Sequence, residues 1–246
     1  MRLVSVLLLP LLLAPAAFAS DAVTIRKERV QFAAGASSAI IKGRLKGDAT
    51  VDYVIGARAG QTLAVTLKRS SGQNYFNVNP PGMEVSMFVG SSDSTGTAFK
   101  SLLPADGDYV VRLYLMRAAA RRGESSDYTL TVGVSGTALA PLPAAQDALL
   151  PGTQFHASGQ ITGVPSFETK PRECEAFVTR RGVDGTATIE IPLPNSLKRR
   201  ILFVKGMPVA SDSPEALKFT RQGDVTTVKL GADEWYAIPD ALVVGG

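Results

Sequence analysis

Three arginines stand close together in the stretch RLYLMRAAARRGESSDYTL, residues 112–130: Arg117, Arg121 and Arg122. The residues on either side alternate between apolar and polar, which predicts two strands of a hairpin with the arginines at its tip. Guanidinium groups form paired hydrogen bonds with carboxylates, and in a helical turn Arg117 and Arg121 would share one face. The tip therefore predicts a surface for an acidic partner. A solvated hairpin end is the alternative that spacing alone leaves open.

His156 is the only histidine and Cys174 the only cysteine, which limits the available chemistry. A catalytic triad would have to use His156, but this residue follows Phe155 in a strand-like run and no GxSxG motif is present. Zinc sites normally take three or four ligands, most of them His or Cys. The chain also lacks a Walker motif and a GxGxxG motif between a strand and a helix. We therefore predict no metal, no cofactor and no enzyme activity.

Carboxylate chemistry is harder to exclude, because a glycosidase needs only two acids about 5–10 Å apart and leaves no local motif. Asp106 and Asp108, on either side of Gly107, and Asp224 are candidates in this sense alone. Asp and Gly are also favoured in turns, through local hydrogen bonds and positive φ. We expect a turn before Tyr109, with a glycosidase as the third hypothesis for the function.

The N-terminal residues predict export. Met1-Arg2 carries a positive charge, residues 3–17 are almost wholly apolar, and Ala17-Phe18-Ala19 fits a signal-peptidase site. We interpret residues 1–19 as a cleaved signal peptide; a retained membrane anchor is the alternative. No later run reaches the roughly 18 uncharged apolar residues of a spanning helix. We expect a protein without a membrane span in the bacterial periplasm, or secreted.

The formal charge of +4 is unevenly distributed. Residues 20–136 contain 14 Lys or Arg against 10 Asp or Glu, whereas residues 150–246 contain 11 of each. Positive charge in the first half favours an acidic partner, which could be an anionic polymer, a lipid headgroup or an acidic protein cleft. Nucleic acid is not expected, because an exported chain without a basic stripe or an aromatic stacking motif does not fit that role.

Period-two alternation, with turn residues at intervals of roughly 8–12 positions, predicts an all-β fold. Eight or nine short strands before residue 136, the first at residues 29–32 and another at residues 85–89, are typical of a β-sandwich or jelly roll. Residues 137–151 are rich in Ala, Pro and Leu, which predicts a linker. Seven strand-like segments within residues 152–246 predict a second, small antiparallel β domain. With one cysteine, neither domain has an internal disulfide, so each depends on its core.

The segment LPADGDYVVRL at residues 103–113, followed by the arginine tip, resembles the end of the bacterial periplasmic inhibitors of g-type lysozyme. Residues 30–32, 35–39 and 57–61, with the Lys-Gly steps between them, are similar to that family's opening strands. The resemblance covers most of residues 28–134. It implies a small β-sandwich, no cofactor, and a g-type lysozyme or related peptidoglycan-cleaving enzyme as partner.

In that family a Ser-Gly-x-Tyr turn and a nearby arginine-bearing loop enter the lysozyme's substrate cleft. The matching turn here is Asp106-Gly107-Asp108-Tyr109, and Asp106 stands where the family usually has serine. Ala118 stands where an asparagine commonly follows the first arginine. The resemblance thus implies these partner-binding residues: Asp106, Gly107, Tyr109, Arg117, Arg121 and Arg122.

Two questions stay open at this point. The second half, which ends in WYAIPDALVVGG, resembles an uncharacterised tail domain of exported bacterial proteins, and this implies no activity. The alternative function for the first half is a non-catalytic module that binds a glycan or protein of the cell envelope. Sugar-binding modules usually expose aromatic rings, and the only cluster available comprises Tyr75, Phe76, Tyr109 and Tyr114. The sequence leaves the oligomeric state undetermined.

Overall fold

A computed structural model describes residues 25–94 and 96–245. The predicted signal peptide, residues 1–19, lies outside the described residues. Within the described ranges no helix is both long and apolar enough to cross a membrane. Almost all regular structure is strand, and the buried side chains form two large hydrophobic clusters, one drawn from residues 45–134 and the other from residues 161–243. The predicted all-β fold with two domains is confirmed.

The first domain is a sandwich of two sheets. One sheet has the strand order β1-β3-β8-β5-β6 and the other β2-β9-β4-β7. A short helix, α1 (Arg117–Arg121), connects β8 to β9 and so joins the two sheets. The strands are β1 Ile25–Arg29, β2 Ser38–Lys46, β3 Thr50–Ala57, β4 Thr62–Arg69, β5 Asn74–Asn79, β6 Phe88–Val89, β7 Ala98–Leu102, β8 Gly107–Leu115 and β9 Ser125–Ser135. The prediction that the strands around the arginines form a hairpin is wrong. Strand β8 pairs with β3 and β5, whereas β9 pairs with β2 and β4 in the other sheet.

Alternation along each strand sends one set of side chains into the space between the sheets. Tyr109, Val111 and Leu113 of β8 are fully buried there, opposite Leu130 and Val132 of β9. The core also contains a polar link between the sheets, because the hydroxyls of Tyr53 and Tyr128 hydrogen-bond at 2.7 Å. Both hydroxyls are thereby satisfied within an apolar interior.

The second domain is one antiparallel sheet of eight strands, in the order β14-β13-β12-β11-β10-β17-β16-β15. Its two edge strands, β14 and β15, approach each other, so the sheet curls almost into a closed barrel. A short C-terminal helix, α2 (Asp240–Val244), packs against it. The strands are β10 Ala157–Val164, β11 Arg172–Arg180, β12 Ala187–Pro192, β13 Lys198–Val204, β14 Met207–Ser211, β15 Leu217–Gln222, β16 Val225–Leu230 and β17 Glu234–Pro239.

A buried cluster of charges crosses the second domain. The guanidinium of Arg199 contacts Glu234 Oε1 at 2.7 Å and Asp212 Oδ1 at 3.1 Å, and it also donates to Ser166 Oγ at 3.1 Å. Arg199, Asp212 and Glu234 are all buried. Burial raises the pKa of Asp212, an effect that the neighbouring Arg199 opposes. The arginine therefore provides the compensation that two buried carboxylates require.

Three local predictions were wrong, each for a physical reason. The first strand is β1, at Ile25–Arg29, where parallel pairing with β3 is available, rather than residues 29–32. The strand expected at residues 85–89 is reduced to β6, since the preceding residues form a turn tied to β5 through Ser86 and Asn79. Strand β14 was not predicted, and its Pro208 argues against a strand. The proline is tolerated because β14 is an edge strand beside a β-bulge at Leu202 and Phe203.

Replacing Arg199 with Leu would leave the buried carboxylates of Asp212 and Glu234 without their shared cation. We expect the free energy of unfolding of the second domain to fall by about 3–5 kcal/mol, the usual cost of breaking a buried ion pair. Urea denaturation followed through Trp235, the only tryptophan, measures this. Arg221→Leu is the matched control, because its ion pair with Asp240 is partly exposed and should contribute less than about 1 kcal/mol. Equal losses for the two variants would contradict the prediction.

Candidate functional site

The arginine tip is a short helix with one buried and one exposed face. Ala119 and Ala120 of α1 are buried, and Ala120 belongs to the sandwich core. Arg117 and Arg121, four residues apart, both lie on the exposed side. The chain leaves the helix through Gly123, at φ 68°, where the backbone N–H groups of residues 122 and 123 donate to the carbonyls of Ala119 and Ala120. The small alanines therefore pack α1 against the first domain, and the arginines lie on the side that faces solvent.

The three arginines differ in their partners. Arg122 pairs with Glu124, with its Nη2 at 2.6 Å from Glu124 Oε1. Arg117 and Arg121 form no ion pair with any residue in the described ranges 25–94 and 96–245. Both guanidinium groups therefore offer their donors to solvent or to a partner. Arg122 is already engaged.

A cleft of about 410 Å³ lies beside Arg117. The turn between β2 and β3, at residues 47–50, forms one wall, while Ser91 and Tyr114 contribute the side next to α1. The Tyr114 hydroxyl is 3.1 Å from Asn77 Oδ1 and 3.2 Å from Ser91 Oγ, which fixes the ring. In the sequence, Gly47 and Asp48 are residue types that indicate only a turn. Their position beside the arginines depends on sheet pairing, which no local pattern reveals.

The Asp106 turn lies at the opposite end of the sandwich. It precedes β8 and α1 follows β8, so the two predicted parts of the site are separated by a strand about 26 Å long. The structure thus brings Asp106, Gly107 and Tyr109 together at one end and the arginines at the other. A partner cleft that encloses α1 therefore contacts the arginines and does not contact the Asp106 turn.

The residues of the turn have structural roles of their own. Tyr109 is fully buried and donates to the carbonyl of Ala105 at 2.9 Å, and burial raises the pKa of its hydroxyl. Gly107 adopts φ 138°, and an added Cβ would lie 2.7 Å from a carbon of Pro81, so a side chain is excluded on two grounds. Phe76 is fully buried as well, so two of the four aromatic residues of the predicted cluster belong to the core.

Asp106 joins the first domain to the second. Its carboxylate accepts the backbone N–H of Ala59 at 2.9 Å and pairs with Arg181 Nη1 at 3.0 Å. Arg181 is buried and also donates to the carbonyl of Leu139 at 2.6 Å and to the hydroxyl of Thr188 at 2.8 Å. Thr188 in turn donates to the carbonyl of Pro104 at 2.7 Å. The carboxylate of Asp106 is therefore neutralised by the second domain.

A small apolar cluster adds to this junction. Ala59 and Leu102 of the first domain pack with Leu202 and Ala210 of the second, and Leu139 of the connecting segment joins them. Gly60 permits the contact, because a Cβ there would lie 2.5 Å from Leu139 Cγ. The domains therefore meet through both apolar and charge-assisted contacts.

The remaining candidates for chemistry have structural partners. His156 is buried; its Nδ1 accepts the backbone N–H of Arg180 at 3.1 Å, and its Nε2 is 2.9 Å from the carbonyl of Leu142. Because a backbone N–H only donates, the ring proton lies on Nε2. Cys174 lies in the second core, and burial raises the pKa of its thiol. Among the residues that the structure describes, no cluster of three or more His, Cys, Asp or Glu could hold a metal ion.

Asp106→Ala would leave the buried guanidinium of Arg181 without its carboxylate. We expect this variant to lower the free energy of unfolding by about 2–3 kcal/mol, because a buried charged donor loses its charged partner. Urea denaturation measures the loss, and combining the change with Arg181→Ala in a double-mutant cycle isolates the pair. The matched control is Asp108→Ala in the same turn, whose pair with Arg29 is half exposed and should contribute less than about 1 kcal/mol. A loss no larger for Asp106 than for Asp108 would refute this role.

Comparisons with known proteins return three lysozyme inhibitors among the solved structures. PliG of Aeromonas hydrophila, a periplasmic inhibitor of g-type lysozyme, is 38% identical to this chain with a TM-score of 0.41. A mutant of the Escherichia coli PliG is 28% identical with a TM-score of 0.37, and the Salmonella Typhimurium PliG is 27% identical with a TM-score of 0.36.

The likeness is limited to part of this chain. The match covers 46% of this chain and 100% of the Aeromonas and Escherichia proteins, and 45% of this chain and 98% of the Salmonella protein. No protein-family model matches the chain, and neither does any curated protein. More than half of the chain therefore has no counterpart in these three inhibitors.

Proposed function

We propose that this protein is an exported, non-catalytic inhibitor of g-type lysozyme or a related peptidoglycan-cleaving enzyme, and that the α1 end of the first domain enters the enzyme's cleft. One observation carries the proposal. Arg117 and Arg121 share the exposed side of α1 and have no ion-pair partner among the described residues. The resemblance of residues 103–130 to the inhibitor family supports the choice of partner.

The chemistry of the two surfaces is complementary. A lysozyme cleft contains carboxyl groups that act on the glycosidic bond and is shaped to hold sugar rings. A guanidinium that enters the cleft can pair with such a carboxylate, and this pairing offsets the cost of removing both charges from water. The arginines then occupy the space that the sugar needs, so inhibition follows from occupancy and requires no reaction.

The construction of the tip favours tight binding. Ala120 is packed into the core, and the backbone N–H of Met116 donates to the carbonyl of Gln73 at 2.8 Å, so the base of α1 is held by the sandwich. A loop that is already ordered loses less conformational entropy on binding than a flexible one. The rigid part is the backbone; the long arginine side chains keep their freedom to reach their partners.

The Asp106 turn has a different role in this proposal. Asp106 and Tyr109 maintain the fold and the contact with the second domain, as their bonds to Arg181 and to the carbonyl of Ala105 indicate. The surface that enters the cleft then consists of Arg117 and Arg121, with the neighbouring cleft that contains Tyr114 as an accessory region. We assign the bacterial envelope as the location, in keeping with the signal-like N-terminus and with the periplasmic inhibitors to which the chain is similar.

The double variant Arg117→Ala/Arg121→Ala should lose inhibition. Each desolvated charge pair at an interface contributes about 1.5–7 kcal/mol, so removing two should raise the inhibition constant at least about 100-fold. Clearing of a cell-wall suspension by g-type lysozyme, with and without the protein, measures the effect. Parallel assays with c-type and i-type lysozymes test the selectivity.

The matched control for this experiment is Arg58→Ala/Lys218→Ala. It removes the same charge from two exposed side chains away from α1, on residues that line no part of the cleft beside Arg117. The control should inhibit as the unchanged protein does. If the unchanged protein inhibits no lysozyme class at micromolar concentration, the alternative of an envelope-binding module takes precedence. If it clears the suspension by itself, it is an enzyme and the proposal is wrong.

Arg122→Ala should have a much smaller effect than either of its neighbours. Glu124 already neutralises Arg122, so the guanidinium would have to leave that pair to bind a new carboxylate. We expect a change in the inhibition constant of less than about fivefold, since exposed pairs contribute less than about 1 kcal/mol. The same clearing assay, with Arg117→Ala and Arg121→Ala measured singly, provides the comparison. A loss at Arg122 as large as at Arg117 would show that Glu124 does not restrain it.

A further inference from the structure

A partly open cavity of about 360 Å³ lies at the junction of the two domains. Its floor is the outward face of β11–β13 of the second domain, and its sides are the segment between the domains and the turn at Ala105 and Asp106. Ligand cavities have volumes of about 300–1,000 Å³ and often lie between domains. The inhibitor surface proposed above lies at the other end of the first domain and makes no use of this cavity.

The strand register brings charged side chains of both signs to the floor. Side chains on β12 and β13 alternate between the barrel core and the domain junction, so Glu190 lies next to Arg200, and Thr188 lies beside Leu202 on the same outward face. Arg200 and Lys198, two residues apart on β13, both line the cavity, and Arg181 joins them from the end of β11. Three cationic groups therefore face one partly open cavity, together with the carboxylates of Glu190 and Asp106.

Two of these cations are anchored deep in the protein. The side chains of Arg181 and Arg200 are only 3% and 9% exposed. Arg181 is held by Asp106, while Arg200 is held by Glu190 at 2.9 Å and by Asp212 at 3.4 Å. These bonds use the Nε and Nη1 atoms and fix the direction of each guanidinium plane.

Hydrogen-bond donors on these cations are still unused. The Nη2 atoms of Arg181 and Arg200 form no hydrogen bond with residues 25–94 or 96–245, and neither atom is closed off from solvent. Lys198 Nζ makes one contact, with Glu190 Oε1 at 2.8 Å, and an ammonium group has three donors. The cavity thus offers charge-assisted donors that await an anionic acceptor.

The other walls supply what a sugar needs. The carboxylate of Glu190 lines the cavity and has lone pairs left for hydroxyl groups, as has that of Asp106. Phe155 also lines it, and its ring is held against Phe177 with the centroids 4.9 Å apart. Leu142 and Leu149 complete an apolar side. Acceptors, donors and an aromatic wall are therefore all present in one cavity.

We infer that this cavity binds an acidic sugar, a sugar ring that carries a carboxylate. The carboxylate of the ligand accepts hydrogen bonds from Arg181, Arg200 and Lys198. Its hydroxyl groups donate to Glu190, and one face of the ring packs against Phe155. This assigns a binding site to the junction itself, with residues from both domains and from the segment between them.

A titration of residues 20–246 with D-glucuronate tests the inference, with D-glucose as the matched probe that lacks only the carboxylate. Amide shifts in ¹H–¹⁵N spectra should move saturably with D-glucuronate in the millimolar range and stay unchanged with D-glucose. Lys198→Met should weaken the binding about tenfold, because one charge-assisted hydrogen bond is lost. Since the Lys198 side chain is 41% exposed, the variant should keep its fold, which the melting temperature verifies.

Lys218→Met is the control variant, because Lys218 lies on β15, is exposed and does not line the cavity. It should bind D-glucuronate as the unchanged protein does. No saturable shift up to about 20 mM D-glucuronate, which is weaker than ordinary specific binding, would overturn the inference. Equal binding of D-glucose, or of inorganic phosphate, would overturn it as well, since the first would make the cations irrelevant and the second would show a plain anion site. If Lys218→Met weakened D-glucuronate binding as much as Lys198→Met does, the inference would also be overturned.

Discussion

The buried guanidinium of Arg181 is the contact on which the arrangement of the two domains depends. It binds one carboxylate of the first domain, one carbonyl of the connecting segment and one hydroxyl of the second domain. A cation that is 3% exposed is tolerable only because all three partners are present. The contact specifies an orientation as well as an attachment, since a planar guanidinium accepts partners only along fixed directions.

Because of the contact between Arg181 and Asp106, the two ends of the first sandwich have different roles. At one end the turn before β8 is committed to the junction, since Tyr109 is buried and Asp106 is paired with Arg181. At the other end α1 presents two arginines with no ion-pair partner among the described residues. The division gives a physical reason for an acid at position 106, because a serine there could not neutralise the arginine of the second domain.

Local patterns predicted much of the fold and part of the site. Alternation identified most strands. The spacing of Arg117 and Arg121 is compatible with one face of a helical turn, but the sequence left open whether the tip is helical or extended, and the structure has the helix α1 there. The failures share a cause, which is that the deciding partner lies far away along the chain. Asp106 and Arg181 are 75 residues apart, so nothing near either one reveals the pair. Pro208 contradicts a strand until the sheet order shows that its strand lies at an edge. The cavity at the junction depends on the register of β12 and β13 together with a turn of the other domain.

Strand β8 runs from one end of the first sandwich to the other. The alternation of its inward and outward side chains couples the two ends. Tyr109, Val111, Leu113 and Leu115 all point into the core, so every second residue is committed from one end of the strand to the other. A shift of one residue would turn this whole set outward, and it would displace the turn at the junction and the base of α1 in the same step. An insertion or deletion within β8 therefore cannot alter one end alone. The loops that flank the strand can change length independently. Changes in how far the arginine tip protrudes are therefore expected in residues 116–124, outside the strand.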